Sequence, residues 1–289
     1  MEMEAINVAN ITKRYGDIYA LEHVDLNFEA GKIYGLLGRN GAGKSTLLKA
    51  MTNRIFPDDG VIYLNDQPVM ENDEVLHQMY LMSEEDMYPK SMKVKDVFHW
   101  TDEFYGCFNM EKAKELAKKF ELNINKKVKD LSTGYQSIYK LIIALSLDVP
   151  YVFLDEPVLG LDANHREMFY KLLLETYMEK QQTIVIATHL IEEIANLIEE
   201  IIILKNGKVI VNQPIEDILA AGYSVSGLAK DIDTYCEGKH VLGYDVLGGL
   251  KIAYIMGEVD KTSLKDTMEI NPLNLQKLFV ELTKKEGEI

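Results

Sequence analysis

Cysteine is scarce in this sequence: 289 residues contain two, Cys107 and Cys236. Two thiols build neither a disulfide framework nor a cysteine-based metal cluster, and they fit a reducing compartment in which both act as small apolar packers. Basic charge is also short, with 31 Lys and Arg against 46 Asp and Glu and a formal net charge of −15. Non-specific nucleic-acid binding needs Lys and Arg to neutralise phosphates, so no nucleic-acid partner is expected. An acidic surface that keeps the chain soluble explains the charge itself. Long apolar runs are missing: residues 141–147 and 201–204 are among the longest, far from the roughly 20 residues of a membrane-spanning helix. The chain is therefore not expected to cross a membrane by itself. Met1-Glu2-Met3-Glu4 lacks the basic-then-apolar layout of a secretory leader. Neither an internal repeat nor a low-complexity stretch is present, and an apolar content of 47% is ample for a packed core.

Against these absences stands one dense motif. Residues 38–46 read Gly38-Arg39-Asn40-Gly41-Ala42-Gly43-Lys44-Ser45-Thr46, following the apolar run 32–37 and opening into the helical pattern 46–51. Glycines let the backbone curl until successive N–H groups point at one anion, and a helix N-terminus adds partial positive charge. Lys44 has the reach for the outer phosphates of a nucleotide, and the Ser45 hydroxyl can ligate Mg²⁺. A strand–loop–helix with this spacing predicts that the chain binds a nucleoside triphosphate.

The rest of the pattern gives that loop a setting. Residues 4–12 alternate as a strand and end in the turn cluster 13–17; a second strand covers about 19–28. Turns at 57–60 and 65–66 bracket the strand 61–64. From about residue 88 to 147 the period becomes helical, over 93–105, 110–120 and 134–147. Strands at 151–154 and 183–187 then alternate with helices at 164–179 and 190–196, and Asn206-Gly207 marks a hairpin. The order predicts an α/β fold: a mixed, mostly parallel sheet, a helical subdomain over about 88–147, and a boundary near Ala221-Gly222. Residues 1–221 form the predicted main domain. Residues 222–289 form a small α+β appendage, with a hairpin around Gly248-Gly249 and an amphipathic closing helix over 272–285.

Residues 152–157, Val-Phe-Leu-Asp-Glu-Pro, are an apolar strand ending in two carboxylates. Ligands of a parallel α/β sheet sit at the carboxyl ends of its strands. Asp155 would then orient Mg²⁺, directly or through water, and Glu156 would take the proton of an attacking water. By itself such a pair also suits a solvated turn; the phosphate loop tips the reading toward chemistry.

Together these segments resemble the ATP-binding subunit of an ABC transporter, a P-loop NTPase, over about residues 4–215. The most specific piece is Leu131-Ser132-Thr133-Gly134-Tyr135-Gln136, which resembles the Leu-Ser-Gly-Gly-Gln signature opening a helix. Thr133 and Tyr135 depart from it, as does Ser137-Ile138 where a polar–basic pair is usual. The resemblance implies that Ser132 and the backbone around Gly134 clamp the γ-phosphate of ATP bound to a facing subunit, in a head-to-tail homodimer or heterodimer. It implies that Asp162, in Leu159-Gly160-Leu161-Asp162, communicates across that dimer. It makes His189, after Ala187-Thr188, a switch that fixes Glu156 and the water, and stacks Tyr15 on adenine. Glu84, or Ser83 one residue earlier, falls where the family keeps a glutamine that reaches Mg²⁺ and water.

An integral membrane subunit is implied as partner, contacting residues 84–92 and the aromatic helix carrying Phe98, His99, Trp100, Phe104 and Tyr105; these rings also suit the insertion's own core. That places the chain at the cytoplasmic face of the membrane. The tail is similar to those of bacterial subunits exporting antibiotics or peptides, phenol-soluble-modulin exporters among them. Other ABC-type ATPases are soluble, acting on ribosomes or DNA or as regulatory switches. A single phosphate loop, and about 87 residues without a heptad run between Lys44 and Leu131, speak against the ribosomal and DNA-repair kinds.

Overall fold

The structure, a computed structural model, describes residues 5–260 and 262–284. The chain begins with a hairpin, β1 (Ala5–Tyr15) against β2 (Ile18–Glu29), turning at Gly16-Asp17. β3 (Ile33–Leu37) follows, and the phosphate loop leads into α1 (Lys44–Met51). β4 (Asp59–Leu64) and the short β5 (Gln67–Pro68) complete a first antiparallel sheet in the order β2-β1-β4-β5. Next come α2 (Asp73–Leu76) and β6 (Met79–Met82). Three helices are then inserted: α3 (Val94–Tyr105), α4 (Met110–Lys119) and α5 (Thr133–Ser146). The chain returns through β7 (Tyr151–Asp155), α6 (Ala163–Lys180), β8 (Thr183–Thr188) and α7 (Ile191–Ile194) to the hairpin β9 (Glu200–Lys205) and β10 (Lys208–Pro214).

The central sheet has the order β10-β9-β3-β8-β7-β6 and is parallel except at β10, the strand added by the Asn206-Gly207 turn. Its middle strands are buried on both faces, as parallel strands covered by helices must be. Successive side chains serve opposite layers. Ile33 and Leu37 enter a core shared with α3 through α6, while Tyr34 and Leu36 enter a second core with α1 and the first sheet.

Beyond α8 (Ile215–Ala220) a third, antiparallel sheet begins. Its strands are β11 (Gly222–Leu228), β12 (His240–Leu247), β13 (Leu250–Met256) and β14 (Glu269–Pro272), with α9 (Ala229–Tyr235) packed on it and α10 (Leu275–Thr283) closing the chain. The closing helix starts later than the period of apolar residues predicts. Pro272 pairs with Tyr223 at the end of β14, and Asn274 caps the helix by accepting the Lys277 N–H. Residue 285, its predicted end, lies outside the described residues. Cys236 is buried and Cys107 half-buried.

Candidate nucleotide site

The five residues of β3 are all buried, so the loop that follows leaves a rigid strand. Gly43 ends that loop at φ 111°, in the left-handed region, and a Cβ there would overlap the Ala20 carbonyl oxygen. Only glycine lets the chain enter α1 this way. No side chain of the described residues caps α1, which leaves the first N–H groups of the helix for a ligand. The Lys44 ammonium, buried, donates to the Gly38 carbonyl at 2.7 Å and lies 3.8 Å from Glu156 Oε1. Burial pushes its pKa down, with Glu156 and Asp155 holding it up.

β7 delivers the carboxylates. Asp155 is buried, and its Oδ1 has no hydrogen-bond partner among the described residues. Burial pushes the Asp155 carboxyl up from its ordinary value; the Ser45 hydroxyl opposes that shift, and Glu156 adds to it. Glu156 stands at φ 47°, a backbone conformation that costs a non-glycine residue energy and recurs at functional sites. Its amide donates to the Ala187 carbonyl at 2.8 Å. Its Oε2 accepts from Thr188 Oγ1 at 3.2 Å and lies 2.9 Å from His189 Nδ1. The end of β8 thus holds the Glu156 side chain from one side and Lys44 faces it from the other.

A cavity of about 560 Å³ joins these groups, bounded by residues 40–46, Lys49, residues 83–85, Asp155, Glu156, Ala20 and Tyr15. Tyr15, at the end of β1, is 53% exposed and offers its ring at the rim. Glu84 and Ser83 both border the cavity: Ser83 is buried and bonded to Arg54, whereas Glu84 is exposed. Gly38, Arg39 and His189 border an adjoining cavity of about 870 Å³, whose far wall includes Phe279 and Thr283 of α10. Ser132, Gly134 and Asp162 are not among the residues lining either cavity. Ser132 caps α5, accepting the Tyr135 N–H at 3.4 Å, and Asp162 caps α6, accepting the His165 N–H at 3.0 Å. The His165 amide holds the Asp162 carboxyl below its ordinary range.

A family model described as ABC transporter matches residues 21–159. An uncharacterised ABC transporter ATP-binding protein of Methanocaldococcus jannaschii is 33% identical over 222 residues, covering 74% of this chain and 79% of that protein. This chain belongs to the ABC transporter ATP-binding family. Like its members it binds ATP and is an ATPase. A petrobactin import ATP-binding protein of Bacillus subtilis is 30% identical, covering 74% of this chain and 88% of that one. A Nod factor export ATP-binding protein of Burkholderia orbicola is 26% identical over 99% of both chains. Among solved structures, a dimeric bacterial ABC transporter cassette shares 28% identity with a TM-score of 0.65, covering 73% of this chain and 98% of that one. A dimeric cassette in a post-hydrolysis state with ADP and Pi gives 27% and 0.64, over the same shares.

Sequence reasoning missed several residues of this ABC site. Thr188 is one, because its hydroxyl matters only through a contact between strand ends. Lys49 and Arg54 are others: they reach Glu85 Oε1, Ser83 Oγ and the Leu81 carbonyl from α1 and the turn after it. Lys140 is a fourth, and its signal was legible as one lysine inside the buried run 138–147.

Proposed function

We propose that this chain hydrolyses ATP with Glu156 as general base, and that it does so to drive an integral membrane partner that exports a peptide, an antibiotic or another amphipathic compound. The observation that carries the chemical part is the placing of Glu156: its carboxylate is bonded to Thr188 and His189 and faces Lys44 across the cavity that the phosphate loop encloses. In this reading residues 38–46 grip the phosphates through backbone N–H groups and Lys44. Glu156 takes a proton from water as the water oxygen bonds the γ-phosphorus and the bond to the β–γ bridging oxygen breaks, which releases ADP and phosphate. His189 holds Glu156 in line, Tyr15 stacks on the base, and Glu84 faces the outer phosphate.

The residues fit a divalent cation brought in with the nucleotide. Asp155 Oδ1 is buried and unpartnered among the described residues, the Ser45 hydroxyl is beside the carboxylate, and Glu84 is close enough to push the Asp155 pKa up. No group of three or more His, Cys, Asp or Glu among the described residues could hold a metal alone, so phosphate oxygens would supply the remaining ligands. Mg²⁺ would draw charge off the phosphates as the bond breaks; Ser45 and Asp155 are the residues that would hold it, with Glu84 in reach.

Two copies set head to tail would bring Ser132, Gly134 and Asp162 of one chain to the nucleotide of the other. The dimeric cassettes above support a dimer as such, and a homodimer or a heterodimer would serve. No helix of the described residues is long and apolar enough to cross a membrane; in this reading the transport path is that of the membrane partner. Trp100 and Phe104 on α3 are exposed, as is Met87, whereas Phe98 is buried in the insertion. The exposed residues suit a coupling surface at the cytoplasmic face of a membrane. The export reading takes its support from one export relative that matches 99% of this chain, tail included. Residues 1–221 would be the ATP-binding domain and 222–289 an accessory unit, since β11 through α9 and β13 enclose a small core of their own around Tyr223, Val225 and Ile232.

Glu156→Gln tests the chemistry. A general base is worth roughly 10²–10⁴-fold, so ATP turnover is expected to fall at least a hundredfold, with dimers accumulating in size-exclusion chromatography under Mg-ATP. Retained turnover would remove Glu156 from the base role. Co-purification from detergent-extracted membranes identifies the partner subunit.

A further inference from the structure

We propose that Lys140 is a positioning residue for ATP hydrolysis: its ammonium pins the backbone of residues 83–85 and thereby sets where Glu84 stands in the nucleotide cavity. The second half of this proposal rests on the role given to Glu84 above.

Lys140 lies on α5 in the run 138–147, every residue of which is buried, and it is 8% exposed. An ammonium placed there must find partners or be strongly destabilising. It finds three, one for each proton it can donate. Nζ donates to the Ser83 carbonyl at 3.0 Å, the Glu84 carbonyl at 2.8 Å and the Glu85 carbonyl at 3.1 Å. Three successive carbonyls therefore converge on one cation, which fixes the turn of the backbone at Glu84. Asp86 Oδ1 at 3.6 Å balances the charge, and Asp86 Oδ2 is paired with Lys90.

The same loop is held from the opposite side. Arg54, just past α1, donates to the Leu81 carbonyl and Ser83 Oγ, and Lys49 on α1 pairs with Glu85. The segment between β6 and the helical insertion is thus braced between the helix that starts at the phosphate loop and the helix that starts at Ser132. A cavity of about 230 Å³ beside the nucleotide site is walled by Lys140, Glu84, Gln136, Asp155 and Glu156 among others. Movement of the pinned backbone would reach both strand-end carboxylates as well as Glu84. Ser137-Ile138 departs from the family's polar–basic pair on this helix; the cation here is supplied two residues further on, facing inward.

The test uses the full chain as K140M, K140Q, E84Q and the double variant K140M/E84Q. In nucleotide-free K140M, amide hydrogen exchange at residues 83–86 is expected to accelerate at least tenfold, with the amides of residues 169–173 in α6 unchanged. ATPase kcat should fall at least tenfold, while fluorescent-ATP affinity stays within twofold. In the E84Q background K140M should remove less than a further twofold, the non-additivity expected of residues acting through one another. Wild-type exchange at 83–86 in K140M, or losses that multiply in full in the double variant, would overturn the proposal. Should K140M not fold, K140Q is expected to show the same effects more weakly, and wild-type exchange in it is equally fatal. An E84Q enzyme with wild-type turnover would defeat the role of Glu84 instead; faster exchange and lower kcat in K140M would then support the pinning of the loop alone.

Discussion

Asp155 and Glu156 are neighbours in the chain, yet the fold gives their carboxylates opposite surroundings. Glu156 has Thr188, His189 and Lys44 about it, whereas Asp155 keeps a buried oxygen without a partner among the described residues. Burial raises the Asp155 pKa, so the folded nucleotide-free protein holds that proton more tightly than the unfolded chain does. By linkage the ionised form is then destabilising at every pH above the raised value, and the penalty fades as pH falls through it toward the unfolded value. Asp155→Asn removes the charge. The nucleotide-free variant is expected to melt above the wild type at pH 8, with the gap narrowing toward pH 4. At about 2–4 °C per kcal/mol for sizeable domains the difference is readable in thermal melts. ATP turnover is expected to fall at the same time, the exchange of stability for function seen where a site keeps an unsatisfied group for its ligand. A variant that melts lower than the wild type at pH 8 would contradict this. These two acids were legible in the sequence because the chemistry places them at one strand end. Thr188 was not, since it acts on a residue 32 positions away and carries no motif of its own; Lys140 showed only as one lysine in an apolar run, with nothing local to say which backbone it holds.

At the scale of elements, the strand–loop–helix of β3 and α1 was the easiest to read: an apolar run, a glycine-rich turn and a helical period follow one another without interruption. The hairpin at Asn206-Gly207 was equally plain, both residues standing at positive φ. The tail was harder. β14 has four residues and pairs with β11 across more than 40 positions, a relation no local period announces. The turn at Ser132-Gly134 lies between these cases. Its composition was visible, its packing was not: a Cβ on Gly134 would stand 2.7 Å from the Gly160 carbonyl oxygen. The start of α5 therefore rests on the 158–161 loop backbone to backbone. Gly134→Ala must push that loop away, and overpacking of this kind costs about 1–3 kcal/mol. Urea unfolding should show a loss in that range, while the nucleotide affinity of the isolated chain stays near the wild type because Gly134 does not line its cavity. A loss of affinity equal to that of a phosphate-loop variant would place Gly134 at the chain's own nucleotide instead.

For the molecule as a whole the open question is how far the tail is a separate unit. Its sheet has a small core of its own, yet α10 does not belong to that core. Leu275, Leu278 and Phe279 pack into the large core with Ile191, Ile194 and Ile198, and Leu273 and Tyr254 join them. Lys205, at the end of β9, donates to the Leu282 and Lys284 carbonyls and so ties off the C-terminal end of the helix. Two residues on, Gly207 donates its N–H to the Ala42 carbonyl of the phosphate loop at 3.1 Å. One hairpin thus touches both the nucleotide loop and the closing helix. Full burial of a leucine or phenylalanine is worth about 1.5–3 kcal/mol, so three such side chains on α10 amount to a large part of the 5–15 kcal/mol by which folded domains are stable. A chain cut after residue 221 leaves their partners bare. It is expected to melt well below the full-length protein, to aggregate at lower temperature, and to bind fluorescent ATP less tightly through a loosened 206–207 turn. If residues 1–221 instead melt at the full-length temperature with unchanged affinity, α10 is a passenger and its burial is not what holds the main body together. Lys205→Met separates the two contributions: it frees the end of α10 while leaving its apolar face in place, and only the affinity should respond if the hairpin carries the coupling.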